Sequence, residues 1–131
     1  MTTLAPDEVR ARIDAIEEGY EFFLAYAAQG LTTDQGAKAG GQLRDFLKRV
    51  IIALDGLPAQ LEAATADMEP KDAWHDMVGV LRADAGAALA AVRLVAARPG
   101  ISSQLVDNLN ANIHLRALLT DLFLIDDLLD R

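Results

Sequence analysis

"QLRDFLKRVIIALDGLPAQL", residues 42–61, decides the fold. Leu43, Phe46, Leu47, Val50, Leu54, Leu57 and Leu61 recur every three or four residues, the spacing of one face of an α-helix rather than the alternation of a strand. The stripe keeps its phase across Gly56-Leu57-Pro58, where a missing backbone donor predicts a kink or brief break before helix resumes to about Ala66. A helix with one apolar face must bury that face against others, so the remaining chain has to supply them.

It supplies three. Pro6-Asp7-Glu8 opens a first helix, with proline in the first turn and carboxylates at the positive end of the macrodipole. Val9, Ile13, Ile16, Tyr20, Phe23 and Ala27 follow at helical spacing, and Gly30 ends the run. Glu69-Pro70-Lys71-Asp72 opens a third helix along Trp74, Val78, Leu81, Ala85, Ala88, Val92 and Val95, and Arg98-Pro99-Gly100 stops it. Ser102 or Ser103 caps a fourth, carried by Val106, Leu109, Ile113 and Leu124. No segment alternates with period two, so no strand is expected. Short connections make sequential helices antiparallel neighbours, which predicts an all-α, up-down-up-down four-helix bundle in one domain over residues 1–131.

The start of the second helix is ambiguous. Thr32-Thr33-Asp34 is a start signal, but "DQGAKAGGQ" (34–42) then places Gly36, Gly40 and Gly41 close together. Either this stretch is loop and the helix begins near Gln42, or the small residues permit a close helix crossing. Arg44, Lys48 and Arg49 form the basic cluster of this helix and are expected to offset Glu17 and Glu21 of the first.

Composition narrows the partners. With 20 acidic and 12 basic residues the net charge is −8, which repels nucleic acid and anionic membranes. The apolar stretch "LLTDLFLIDDLL" (118–129) is interrupted by Asp121, Asp126 and Asp127, too soon for a membrane span. No apolar run precedes the first charges, so no signal peptide is read and a cytoplasmic location is expected. Without cysteine there is no thiolate ligand, thiol nucleophile or disulfide.

Candidate chemistry is sparse. Four-helix bundles can hold two metals through paired Glu-x-x-His motifs; here Glu18, Glu21, Asp72 and His75 offer one incomplete set. They define the alternative, a ferritin-like metal- or ligand-binding protein. "HDMVG" (75–79) resembles the phosphoacceptor stretch of histidine phosphotransfer domains, which implies a helical signalling module with His75 as acceptor. Val78 stands where that family places a base to steady the phosphoryl group. "VRARIDAIEE" (9–18) resembles the opening of all-helical chorismate mutases, but Ala27, Ala28 and Gln29 occupy the region where a second arginine is expected. Asp107, Asn110, His114 and Asp121 form a polar stripe on the fourth helix. No nucleophile and base are paired, so neither catalysis nor a cofactor is expected.

The remaining signal is apolar. "IEEGYEFFLAYAAQG" (16–30) carries rings on two sides of the first helix. Tyr20 and Phe23 belong to the core stripe, whereas Phe22 and Tyr26 continue a second seam begun by Ala11, Ala15 and Gly19. The fourth helix has its own second seam, including Leu118, Leu122 and Ile125. Leaving such leucines in water forgoes roughly 1.5–3 kcal/mol of burial each, so the two seams predict an interface. Asp126, Asp127 and Asp130 crowd the negative end of the last helix, where Arg10 or Arg12 of a neighbouring chain is expected to meet them. The expected function is a non-enzymatic helical interaction or accessory protein, self-associating as a homo-oligomer, a dimer first, through helices one and four.

Overall fold

The computed structural model describes residues 6–129, and within them every regular element is a helix, with no strand. Five helices follow in order: α1 (Pro6–Ala27), α2 (Lys38–Ala64), α3 (Lys71–Ala96), α4 (Ser103–Ala111) and α5 (His114–Leu129). Each of α2 and α3 packs on its predecessor; α5 packs on α3, and both α4 and α5 close onto α1. The fourth position of the expected bundle is therefore shared by two helices. None of the described helices is long and apolar enough to cross a membrane. Asp130 lies outside the described residues.

The division of the expected fourth helix has a local cause. Asn112 caps α4, and its Oδ1 then accepts the His114 N–H at 3.2 Å, satisfying a donor in the first turn of α5. Between them Ile113 takes φ +66°, a left-handed conformation that is strained for a β-branched residue. One such residue resets the helical phase. The stripe begun by Val106 and Leu109 does not continue into α5: Ile113 and Leu124 face solvent, while Leu115, Leu118, Leu122 and Ile125 turn inward.

By contrast, α2 is assigned as one helix through Pro58. Gly56 serves a contact there. A Cβ on it would sit 2.6 Å from an Arg12 guanidinium nitrogen. Through the slot so left, Arg12 reaches α2, its Nη1 donating to the Ile52 and Ala53 carbonyls at 2.9 and 3.0 Å and its Nε to Gln60 at 2.8 Å. That arginine is thus bound within its own chain. So is Arg10, whose guanidinium pairs with Asp126 at 3.5 Å; the acidic end of α5 meets a base without a neighbouring molecule.

At the opposite end, two connections are tied together. Asp34 does not cap α2: the helix begins at Lys38 behind Ala37, which makes no side-chain cap. Instead the buried Asp34 carboxylate accepts the Ile101 N–H at 2.7 Å and Arg44 Nε at 2.8 Å. Arg44 also donates to the carbonyls of Ala96, Arg98 and Pro99, the C-terminal turn of α3 and the residues after it. It therefore serves the loops rather than offsetting Glu17 and Glu21. Gly40 allows this arrangement, because a Cβ there would collide with the Asp34 carbonyl oxygen. Ser102 caps α4 by accepting the Leu105 N–H at 3.0 Å, and Ser103 exchanges bonds with Leu31.

Removing the carboxylate strands the Ile101 donor and one side of the guanidinium. Asp34→Ala is expected to cost roughly 2–4 kcal/mol in urea unfolding. The Arg44 hydrogen bond holds the Asp34 carboxyl below its ordinary range against the opposing effect of burial. Its stabilisation is present above the unfolded-state value and lost as pH falls through the folded one, so the variant should lose part of the wild type's acid sensitivity.

Candidate functional site

The seam expected to carry an interface is mostly core. Tyr26, Leu118, Leu122 and Ile125 are each 0% exposed. Gly19 is buried, with Val50 of α2 where its Cβ would be. Tyr26 donates its hydroxyl to the Ile101 carbonyl at 2.7 Å and receives on its own carbonyl the Ser103 hydroxyl at 2.6 Å. This explains a buried tyrosine: its polar tip is spent at the junction of the loops. Phe22 is half-buried and stacks on Phe46 at 4.7 Å, with Arg49 lying 4.4 Å over the Phe46 ring. Ala15 is half-buried and Ala11 exposed; with Ile52 they line a shallow groove between α1 and α2. For the α5 half of the seam the cause is the phase reset at Ile113, which turns Leu118, Leu122 and Ile125 inward against α1 and α3.

The candidate metal ligands do not converge. Glu18 and Glu21 are exposed on α1, and Asp72 and His75 are exposed on α3. Those two helices are diagonal, with no close backbone approach between them. Among the described residues no group of three or more His, Asp or Glu side chains is placed to hold a metal ion. The polar stripe also divides. Asn110 of α4 turns to α1, donating to the Phe23 carbonyl at 3.3 Å, while Asp121 of α5 faces Asp84 of α3.

Asp72 and His75 do line a hollow of about 380 Å³ between the end of α2 and the start of α3. Lys71 and Arg82 border the same hollow, and Arg82 pairs with Glu62 at 3.1 Å.

The more apolar feature lies on the other flank of α3. Met68 and Pro70 of the α2–α3 turn, Trp74 and Met77 of α3, and Leu124 and Leu128 of α5 line a groove of about 500 Å³. Its single charged lining residue is Glu69. Leu124 and Leu128 are 53% and 44% exposed, and Phe123 beside them is 50% exposed. These leucines belong to the side of α5 that the phase reset turned outward. Spacing alone places Leu124 in the core, and no periodicity reveals a single left-handed residue at Ile113.

One turn up α5 from Leu124 stands Asp121, paired with Asp84 on α3. Asp121 Oδ2 is buried without a hydrogen-bond partner. Two carboxylates offer each other no donor, so the pair is satisfied only when one of them carries a proton. Burial, reinforced by Asp84, accordingly pushes the Asp121 carboxyl up to about 7.

Comparison with known proteins finds no match to a family model, to a curated protein or to a solved structure.

The carboxyl pair generates a pH dependence of definite sign. Between about 4 and 7 the folded state holds a proton that the unfolded chain has released, so stability is highest below that window and declines as pH rises through it. Asp121→Asn should flatten the decline and stabilise the protein at pH 8 by on the order of 1–2 kcal/mol, after allowance for partial solvation. Thermal unfolding at pH 5 and pH 8 measures it. A wild type that gains stability between those values, with Asp121→Asn behaving identically, would remove the pair from consideration.

Proposed function

We propose that this protein is a non-catalytic helical docking module whose working surface is the groove between α3 and α5. The observation that supports it is the pairing of Leu124 and Leu128, each about half exposed, along a groove walled by Trp74 and Met77. Apolar side chains scattered singly over a surface need no explanation, but a contiguous set beside a concave apolar floor marks a place where another molecule sits. Methionine walls suit such a surface, since an unbranched thioether repacks around different contours.

A phosphotransfer role is a second reading, favoured by exposed His75 standing in a hollow with Lys71 and Arg82, cations that could steady a phosphoryl group in place of the one missing at Val78. Incubation with a small phosphodonor should then yield acid-labile phosphate that is lost on His75→Gln. Protein that stays unlabelled under those conditions excludes it.

If the groove serves binding rather than folding, its rim residues contribute little to stability. The double substitution Leu124→Ser with Leu128→Ser is expected to shift unfolding by no more than about 1 kcal/mol, compared with 2–5 for a buried leucine replaced by alanine. A loss above about 2 kcal/mol in urea unfolding would return these leucines to the fold and sink the docking role.

A further inference from the structure

The groove has a chemical gradient along it. At the α2–α3 turn it begins at Glu69 and its length to Leu124 is apolar; past its lined end, on the same two helices, stand the paired Asp121 and Asp84. One helical turn, roughly 5 Å, separates Leu124 from Asp121 along α5, and two turns separate Met77 from Asp84 along α3. Asp76, exposed, precedes Met77 on the α3 rim. Among the described residues no lysine or arginine lines the groove; Lys71 of α3 borders the hollow on the opposite flank. An apolar trough with carboxylates at both ends and on one edge selects against most occupants. A second copy of this chain, at net charge −8, would bring the same acidic rim against itself about a two-fold axis.

Resting on the docking role above, we propose that the groove receives an amphipathic helix of another protein, its leucine-type stripe lying between Met77 and Leu124 and a flanking arginine or lysine reaching the Asp84–Asp121 pair. The stripe fills the trough at i, i+3, i+4 and i+7 spacing. Asp84 and Asp121 are each part-exposed, so the flanking cation donates to the carboxylate oxygens that solvent reaches and favours release of the proton the pair shares.

Trp74, the single tryptophan of the chain, lies in the groove wall and reports occupancy by its emission. The probes are three synthetic 18-residue helices without tryptophan, sharing one leucine stripe and flanked by arginine, glutamine or glutamate. At low salt the arginine-flanked peptide should shift Trp74 emission and bind at least about ten-fold more tightly than the glutamate-flanked one, the gap narrowing at high salt. Leu124→Asp should abolish the shift. Asp84→Asn with Asp121→Asn, which relieves repulsion and so leaves the fold intact, should weaken the arginine-flanked peptide at least about five-fold while leaving the glutamine-flanked one unchanged.

Equal affinity for all three peptides would overturn the cationic partner while leaving the docking role standing. Failure of every peptide, with the protein alone monomeric, would overturn both. Sedimentation of the protein alone separates the remaining occupant: a dimer at micromolar concentration that Leu124→Asp dissolves would assign the groove to a second copy and overturn the proposal.

Discussion

A single buried carboxylate organises one end of this molecule. Asp34 sits in the connection between α1 and α2, yet its two oxygens are committed to Ile101 after α3 and to Arg44 in α2. Arg44 carries the link onward to three carbonyls at the end of α3. Both inter-helix connections at that end are thereby held in one network, which also receives the Tyr26 hydroxyl and the Ser103 side chain. Such a network is costly to leave half-satisfied, so it constrains the chain to a single arrangement of loops. The helices lean on it for their relative positions; the apolar core then fills the space they enclose.

The other end is built differently. There Arg12 threads past Gly56 to the carbonyls of α2, and Arg10 reaches Asp126 at the end of α5. These are links from α1 outward to its neighbours. None of them reaches across to α3, and the space between the start of α3 and the end of α5 is left to the Trp74–Leu124 groove. This apolar groove therefore lies away from the polar network, at the end where the connections are fewer.

Much of this was legible from residue spacing. The stripes of α2 and α3 have the period and length that physical chemistry assigns to buried helices, and their residues Leu43 to Leu61, half-buried Phe46 apart, and Val78 to Val95 are buried as their spacing requires. Ser102 is a cap for the reason caps are recognised: its hydroxyl meets the Leu105 amide. What spacing could not carry was tertiary. Asp34 has the same local signature whether it caps a helix or anchors a distant loop, and only the position of Ile101 decides. Tyr26 reads as a surface ring until Ile101 offers it a carbonyl. Ile113 carries no mark of a left-handed residue, being β-branched, so the phase of α5 was misassigned and its inner and outer sides exchanged. The groove followed from that exchange and had no independent signal.

The break at Asn112-Ile113 also uncouples two sets of residues that a continuous helix would bind together. In an unbroken helix the pitch that seats Val106 and Leu109 would dictate which side chains of the next four turns face inward. Here α4 takes its orientation from α1 and the Ser103 tether, while α5 sets its own from Leu115 to Ile125. The outer positions of α5 are thus released from the packing of either helix. Leu124 and Leu128 can change in size or charge without a compensating change in the interior, so the composition of that face is free to be tuned independently of the scaffold that presents it.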